Sequence, residues 1–337
     1  GSEMCIRDRN NTIEEVENML ENNCRRAFRC CIDIVIFIIS ILLTFVIGVL
    51  VGGATELATV IGTGGFICGP VLLAAAKQKI PTMLHESNAF PGVTVKLLAK
   101  KVDTILIGFE DARAKIHDAK NIVLTGTPTK FKEIQYSDKE KEEFLKENNL
   151  QKDKTLILVF GGSQGARPIN NALEEIIEKK LNKDYQILWS VGQSQYDIIK
   201  ENLAKKNIDI TQIENVNVVP YIYDMQRAMA VADLIVCRSG AMTITEVSIS
   251  GRPAIFVPLS FAAENHQEYN AKVLVNEGAA KIIHDNEING EALNKMIEET
   301  ISDKEKLKEM GNNAKKIVMK DVENKIYNEV EKLINKR

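Results

Sequence analysis

The sequence predicts an α/β protein with two domains, each built on a parallel sheet, and three observations support this prediction. The chain has 337 residues, which is enough for two domains of ordinary size. From residue 58 onward, short β-branched runs alternate with amphipathic helical stretches, as they do in βαβ units. The alternation pauses at the highly charged stretch 137–154, so we expect the domain boundary between residues 130 and 150.

The individual elements follow from local patterns. Strands are expected at 59–61, 82–84, 104–107, 122–124, 155–160, 186–189, 216–219, 234–236, 254–257 and 280–283. Helices are expected between most of them, for example at 170–180 and 264–276. The charged stretch 137–154 is either a solvated helix or a linker. The last 35 residues are expected to be helical, because apolar residues from Val322 to Ile334 recur at helical spacing.

Composition excludes several classes of protein. The formal net charge of -3 provides no general attraction for nucleic acid. The six cysteines include no Cys-x-x-Cys pair, and the four histidines do not fall at zinc-site spacings. We therefore expect free thiols, no structural metal and no cofactor.

The segment 34–55 contains no charged residue and has the length of a bilayer-spanning helix. Arg25, Arg26 and Arg29 precede it, which on its own predicts a membrane helix with a cytoplasmic N-terminus. A signal peptide is disfavoured, because the apolar run is too long and begins too far into the chain.

Two strand-to-helix turns have the composition of phosphate-binding loops. The run 159–166 carries three glycines and Ser163, and a helix N-terminus after such a turn offers backbone N–H groups to an anion. The run 234–246 repeats this arrangement, with the N–H groups from Ala241 to Thr243 expected to face a diphosphate. Glu246, one turn further on, could accept hydrogen bonds from the two hydroxyls of a ribose. The alternatives are a tight turn without a ligand for the first run and a helix-stabilising acid for Glu246.

Further candidate groups follow other strands. His85, Glu86 and Asn88 come at the end of a strand, and His and Glu are suitable general bases for a sugar hydroxyl. A structural histidine is the alternative. The run 261–271, after another strand, carries amide and imidazole groups that could bind sugar hydroxyls, since such loops face the ligand crevice of open α/β sheets.

Taken together, these motifs resemble the MurG family, GT-B-fold transferases that add N-acetylglucosamine to lipid I in peptidoglycan synthesis. The resemblance covers about residues 58–337. It is carried by Gly62-Thr63-Gly64-Gly65-Phe66 through Pro70, His85-Glu86-Ser87-Asn88-Ala89 with Pro91-Gly92, Thr125-Gly126-Thr127-Pro128, Gly161-Gly162-Ser163-Gln164-Gly165-Ala166, Tyr221-Ile222-Tyr223-Asp224-Met225, the run from Arg238 to Glu246, and His266-Gln267 with Asn270-Ala271.

The resemblance implies a GT-B fold, with two Rossmann-like domains facing a cleft. The implied organisation is a non-family segment 1–57, an acceptor-side domain 58–135, a UDP-GlcNAc-binding domain 136–320, and a C-terminal helix 321–337 that packs back on the first domain. It also implies an inverting reaction in which the muramyl C4 hydroxyl of lipid I attacks the anomeric carbon of UDP-GlcNAc. The enzyme would need no metal or cofactor and would act at the cytoplasmic face of the bacterial membrane as a peripheral protein.

Residue roles are carried over by position. Ser163 would contact the diphosphate, the backbone at Ile222 the uracil, and Gln267 the sugar. Asn88 and Lys130 match ligand-contact positions, although Lys130 stands where arginine is common, so a bidentate contact would be lost while the charge is kept. Phosphate and ribose would be held by Ala241, Met242, Thr243 and Glu246. His85 and Glu86 are the catalytic candidates.

The sequence departs from the family pattern at its start. The family begins with a loop of the form Gly-Gly-Thr-x-Gly-His on the acceptor side, and residues 1–57 contain no such motif. We therefore expect a first domain that is incomplete at its N-terminus. Either 1–57 is a genuine membrane anchor, or it is an artefact that replaces the true start, which is the interpretation we favour. A catalytically impaired, membrane-tethered UDP-sugar-binding fragment, or a related GT-B glycolipid transferase or epimerase, is the alternative function. The run 85–92 argues against the related enzymes.

Overall fold

A computed structural model describes residues 59–335. The apolar segment 34–55, and with it the choice between an anchor and an artefact, lies outside the described residues. The described chain forms two parallel sheets, one of four strands and one of six. We call the parts built on them the first domain and the second domain.

The first sheet has its strands in sequence order, β1-β2-β3-β4, and all of its pairs are parallel. The strands are β1 (Val60–Gly62), β2 (Thr82–Glu86), β3 (Thr104–Ile107) and β4 (Ile122–Leu124). Helices α1 (Cys68–Lys77) and α2 (Val93–Leu98) and the 3-10 helix Glu110–Lys115 connect them. Leu72, Val95 and Leu98 of these helices pack with Leu84, Ile105 and Ile107 of the sheet.

The second sheet has the order β10-β9-β8-β5-β6-β7 and is parallel throughout. Its strands are β5 (Thr155–Phe160), β6 (Tyr185–Ser190), β7 (Val216–Val219), β8 (Leu234–Cys237), β9 (Ala254–Phe256) and β10 (Ala280–Ile282). The central strands are apolar along their whole length because helices cover both faces. The strand order reverses direction between β5 and β8, and such a switch point is where open α/β sheets bind ligands.

The helices of the second domain lie between its strands and after its last one. They are α3 (Asp138–Glu147), α4 (Arg167–Glu178), α5 (Tyr196–Lys205), α6 (Met225–Val231), α7 (Ala241–Ser250), α8 (His266–Asn276), α9 (Gly290–Ile301) and α10 (Lys304–Lys315). Helix α8 begins two residues later than expected. Glu264 and Asn265, which precede it, have left-handed φ angles of 53° and 55° inside the 3-10 turn Ala263–Asn265.

The charged stretch 137–154 forms a helix rather than an extended linker. Ser137 caps α3, and the Ser137 and Glu140 side chains exchange hydrogen bonds with each other's backbone in a capping box. Phe144 and Leu145 on one side of the helix are buried, and Glu147 forms an ion pair with Arg227 of α6 at 3.0 Å. The charged stretch is therefore a solvated helix, α3, and this helix belongs to the second domain.

The last 35 residues form two helices rather than one continuous helix. The chain forms α10 and then α11 (Val322–Ile334), and Asp321 before α11 has a left-handed φ of 60°. This break redirects the chain, because α11 crosses to the first domain and packs Leu333 against Met83 and Leu106 of the first sheet. Among the helices from residue 59 to 335, none has the length and apolarity to cross a membrane.

Strand prediction succeeded throughout, since every expected strand is present with bounds shifted by at most two residues. The α/β class with two parallel-sheet domains is confirmed. Both described cysteines, Cys68 and Cys237, are free thiols, as expected.

Replacing Leu333 with alanine tests how α11 is held. Leu333 is buried in the apolar contact with Met83 and Leu106, so we expect L333A to lower the free energy of unfolding by about 2–4 kcal/mol in urea titrations. Tyr327, on the same helix, is exposed, and Y327A should change the free energy of unfolding by no more than about 0.5 kcal/mol. Equal losses in the two variants would mean that α11 is not held by this contact.

Candidate functional site

The carboxyl ends of the strands in both sheets meet at one cleft. The backbone N–H of Ala89, in the loop after β2, donates to Asn270 Oδ1 of α8 over 2.8 Å. Ala89 and Phe109 of the first domain also belong to the same buried apolar cluster as Ala271 of the second. Loops that follow the strands of the two sheets are therefore in direct contact.

The loop after β5 is a compact glycine turn. Gly162 and Gly165 have φ angles of 87° and 75°, which favour glycine, and the Gly165 N–H donates to the Gly162 carbonyl oxygen over 3.0 Å. A Cβ at Gly165 would lie 2.1 Å from the carbonyl oxygen of Val191, so this position has no room for a side chain. Ser163 lies exposed at the tip of the loop, where its hydroxyl can reach a ligand.

The N-terminus of α7 lies beside this glycine turn. Phe160, at the end of β5, pairs with Cys237, at the end of β8, so the loops after both strands emerge side by side at the switch point. The N-cap Gly240 has no side chain to cap the helix, and the N–H groups of the first turn have no partners within a helix. Ala241, Met242 and Thr243 thus offer backbone donors, and the helix dipole favours an anion at this point.

Glu246 lies in the second turn of α7 and is largely buried. Burial raises the pKa of its carboxyl to about 7, well above the ordinary value. A carboxylate held in this way gains from any ligand that donates hydrogen bonds to it, because those bonds replace lost hydration. The geometry therefore suits a ligand that presents hydroxyls one helical turn away from an anionic group.

Arg238 opens this run but does not face the cleft opening. Its Nη1 donates to the carbonyl oxygens of Val257 and Pro258 and to Asp285 Oδ1, the last over 2.6 Å. Asp285 Oδ2 in turn accepts from the N–H and hydroxyl of Ser260. Sequence reasoning gave this pair no role. It ties together the ends of β8, β9 and β10 and so fixes the base of α7.

His85 and Glu86 end β2 and are both buried. His85 Nε2 lies 3.0 Å from the Gly126 carbonyl oxygen, which can only accept, so Nε2 carries a proton and Nδ1 of the neutral ring accepts from the Ser87 hydroxyl over 3.2 Å. Burial lowers the pKa of His85, which favours the neutral imidazole.

Glu86 organises the loop that follows it. Its Oε1 accepts from the backbone N–H and the side-chain amide of Asn88, over 2.9 and 3.0 Å, and its Oε2 accepts from the Gly92 N–H over 2.7 Å. With both oxygens engaged, these contacts favour a positioning role. The assignment of Glu86 or His85 as a general base stays a prediction.

Asn270 is the functional residue that sequence reasoning missed, although it was quoted within a motif. It is fully buried, and its Nδ2 donates to Asn88 Oδ1 over 3.0 Å and to the Ser239 carbonyl oxygen over 3.2 Å. The available signal was its place on the apolar face of α8, one turn before Leu274. A polar residue on a buried helix face requires partners, but the sequence could not show where they lie.

Two further predicted residues border the cleft. Gln267, in the first turn of α8, accepts from the Leu259 N–H at Oε1 and from the Ser239 hydroxyl at its backbone oxygen. Ile222, after β7, is buried between two exposed tyrosines, Tyr221 and Tyr223. The rings of these two tyrosines contact each other edge to face, with centroids 5.1 Å apart.

Lys130 is exposed on the loop after β4. Its neighbours Thr129 and Phe131 line a cavity between the domains, which Thr245 and Ile249 of α7 line from the other side. Lys130 therefore lies near this cavity, whereas Asn270 links Asn88 to Ser239, and the Ser239 hydroxyl donates to the Gln267 backbone oxygen.

Comparison with known proteins identifies relatives that match most of the chain. The model of the glycosyltransferase family 28 C-terminal domain matches residues 156–326, and that of the family 28 N-terminal domain matches residues 51–107. A UDP-N-acetylglucosamine–N-acetylmuramyl-(pentapeptide) pyrophosphoryl-undecaprenol N-acetylglucosamine transferase of Desulforamulus reducens is 41% identical over 276 residues, which cover 82% of this chain and 73% of that protein.

Solved structures agree with these relatives. The crystal structure of Acinetobacter baumannii MurG is 30% identical with a TM-score of 0.65, and the match covers 82% of this chain and 75% of that one. MnaA of S. aureus, in a co-structure with UDP, is 15% identical with a TM-score of 0.64 and covers 89% of this chain and 81% of its own. At that identity, the second match shows a shared fold alone.

The raised pKa of Glu246 makes stability depend on pH. The folded state favours the protonated acid, so the free energy of unfolding falls as pH rises from the unfolded-state pKa to about 7 and stays lower above it. We expect E246Q to match the parent near pH 4.5 and to be more stable at pH 8, by about 1 kcal/mol after allowance for partial solvent screening.

Urea titrations at the two pH values test this expectation. Glu201→Gln, at an exposed position on α5, is the control and should keep the pH dependence of the parent. If E246Q keeps that dependence as well, Glu246 is not the group that titrates.

Proposed function

Because this chain belongs to the MurG family of glycosyltransferases, we propose that it transfers N-acetylglucosamine from UDP-N-acetylglucosamine to the muramyl C4 hydroxyl of lipid I. The observation that carries the proposal is the uncapped N-terminus of α7 at the switch point, with Glu246 one turn behind it. The same arrangement accommodates a diphosphate and the ribose attached to it. The resemblance to the MurG family is confirmed by the comparisons.

The donor is held from uracil to sugar along the second domain. The Ile222 backbone forms a hydrogen bond with the edge of the uracil ring, and the Glu246 carboxylate accepts hydrogen bonds from the two ribose hydroxyls. The diphosphate lies against the N–H groups of Ala241, Met242 and Thr243, with the Ser163 hydroxyl on the opposite side. Gln267, whose Oε1 is held by the Leu259 N–H, turns its Nε2 donor toward the sugar.

Transfer proceeds with inversion. The acceptor hydroxyl attacks the anomeric carbon as the bond to the diphosphate breaks, and negative charge develops on the departing UDP. The N-terminus of α7 is fixed before reaction by the Arg238–Asp285 pair, so its dipole stabilises this charge without reorganisation. Lys130, across the cleft from α7, adds a positive charge that can approach the same group.

The acceptor side is formed by the loop after β2. Asn88, held by Glu86 and Asn270, presents polar groups to the space between the domains. The proton of the attacking hydroxyl requires a base, and His85 and Glu86 are the candidates in this region. The neutral His85 ring can receive a proton at Nδ1 through Ser87, whose hydroxyl already donates there.

The acceptor is lipid-linked, and we place the protein as a peripheral protein on the cytoplasmic face of the membrane. Support comes from apolar side chains exposed on the first domain, among them Phe66, Ile67, Val93 and Leu97, with exposures of 56–73%. Helices α1 and α2, which carry or adjoin them, are packed together: a Cβ at Gly69 would lie 3.6 Å from Thr94 Cγ2. A shared apolar patch of this kind suits an interfacial contact.

A transfer assay tests the proposed activity. Radiolabelled UDP-N-acetylglucosamine is incubated with lipid I in detergent, and the lipid fraction is analysed for a disaccharide-linked product. We expect the label to appear in lipid II when the parent chain is used. For E246A we expect the calorimetric affinity for the donor to be about 10- to 100-fold weaker, because hydrogen bonds to a charged group are lost. The control is Glu201→Ala. Binding of UDP-N-acetylglucosamine without any transfer would support the alternative of an impaired donor-binding fragment.

Membrane attachment is tested by co-sedimentation with vesicles of phosphatidylglycerol and phosphatidylcholine. We expect Leu97→Glu to lower the bound fraction at least about threefold, because a charge in the apolar patch opposes insertion. Ile198→Glu, at a comparably exposed apolar position on α5, should bind as the parent does. Equal binding of both variants and the parent would exclude this patch as the membrane contact.

A further inference from the structure

We propose that Asn270 is a positioning residue that sets the acceptor-side loop 87–92 against the phosphate-binding turn at the start of α7. The inference rests on the proposed function, because it concerns the geometry of transfer. The Asn270 carboxamide fixes the position of one wall of the cleft relative to the other.

The Asn270 side chain bonds to both domains at once. Its Oδ1 accepts from the Ala89 N–H of the first domain over 2.8 Å. Its Nδ2 donates to Asn88 Oδ1 of the first domain over 3.0 Å and to the Ser239 carbonyl oxygen of the second over 3.2 Å. Both amide hydrogens are thus used, and the residue is fully buried, so losing either partner leaves a buried polar group unsatisfied.

The orientation of this carboxamide follows from its neighbours. The Glu86 carboxylate can only accept, so the Asn88 amide nitrogen turns toward it over 3.0 Å and Asn88 Oδ1 turns toward Asn270. The Ala89 N–H can only donate, which requires Asn270 Oδ1 on that side. The Glu86 carboxylate and the Ala89 N–H together determine which atoms donate and which accept in this group of hydrogen bonds. We call the group the interdomain network; its members are Glu86, Asn88, Ala89, Ser239 and Asn270.

The other end of this network reaches the donor site. Ser239 directly precedes Gly240, the N-cap of α7, and is fully buried. Its carbonyl oxygen accepts from Asn270, and its hydroxyl donates to the Gln267 backbone oxygen over 2.9 Å. Asn270 therefore links the loop that carries Asn88 to the turn that offers N–H groups to the diphosphate.

An aromatic pair joins the two domains beside the network. Phe90 and Tyr269, the chain neighbours of Ala89 and Asn270, stack with ring centroids 4.5 Å apart. The Lys115 ammonium lies 4.3 Å from the Tyr269 ring centroid and 5.1 Å from that of Phe90. Asn270 itself is fully buried, so its hydrogen bonds act in a medium of low dielectric, where they are stronger.

This arrangement matters for transfer because the two reacting atoms come from opposite walls of the cleft. Reaction requires the attacking oxygen within about 3–3.5 Å of the anomeric carbon, and misplacement by about 1 Å can lower the rate roughly 100-fold. Asn270 contacts both walls directly. The second domain keeps its own hold on the donor, since Ser239 remains bonded to Gln267 when the Asn270 side chain is removed.

The test compares Asn270→Ala with Asn294→Ala in the full chain. Asn294 is also a buried asparagine, but it accepts from the Tyr185 hydroxyl within the second domain, so N294A is the matched control for loss of a buried hydrogen bond. For N270A we expect kcat to fall about 100-fold, with calorimetric affinity for UDP-N-acetylglucosamine within about threefold of the parent. N294A should keep kcat within about threefold.

A second readout does not depend on catalysis. Amide hydrogen exchange across residues 87–92 should be faster in N270A than in the parent and unchanged in N294A, because Ala89 loses its acceptor. If the parent shows no transfer while this exchange difference appears, the proposed function fails and the positioning contact stands. Unchanged exchange in N270A, or loss of donor affinity in parallel with kcat, would overturn the proposal.

Two further variants separate positioning from folding. Asn270→Asp keeps the size of the side chain and the acceptor for Ala89 but places an acceptor opposite both Asn88 Oδ1 and the Ser239 carbonyl oxygen. It should show the same loss of kcat with donor binding retained. The double variant N88A/N270A should lose less than the sum of the two single variants, because the two side chains share one hydrogen bond. Additive losses would contradict the assignment.

Discussion

The position of one helix N-terminus, that of α7, governs the rest of this structure. Its unpaired N–H groups are useful to an anion only if the turn before them is held rigidly, and three features hold it. The register of β8 with β5 places it at the switch point, the Arg238–Asp285 pair ties its base to β9 and β10, and Ser239 is bonded on both its backbone and side-chain oxygens. The glycine turn with Ser163 then faces it, and Glu246 follows one turn behind.

The two domains meet through polar contacts that are buried, which is a costly arrangement unless every group is paired. Here the pairing is complete along the interdomain network, and its polarity is dictated by the Glu86 carboxylate. This explains how the Glu86 carboxyl group lies almost fully buried at the end of β2: backbone and amide N–H groups donate hydrogen bonds to both of its oxygens. The crossing helix α11 adds an apolar contact on the far face of the first sheet.

Periodic signals predicted the strands and the fold class, because parallel strands buried on both faces are apolar along their length and bounded by glycine. The glycine turns and Glu246 were likewise visible as local sequence. The contact between Asn270 and Ala89 was not, since it joins residues 181 positions apart and no local pattern encodes such a pairing. Apolar periodicity alone did not show the break before α11, because it depends on a left-handed residue, Asp321, rather than on glycine or proline.

The most direct test of this account is a crystal structure of the chain with UDP-N-acetylglucosamine. The account predicts the diphosphate within hydrogen-bond distance of the Ala241–Thr243 N–H groups, both ribose hydroxyls on the Glu246 carboxylate, and the Asn270 carboxamide still bonded to Ala89 and Ser239. A nucleotide bound elsewhere in the cleft, with the N-terminus of α7 unoccupied, would contradict it.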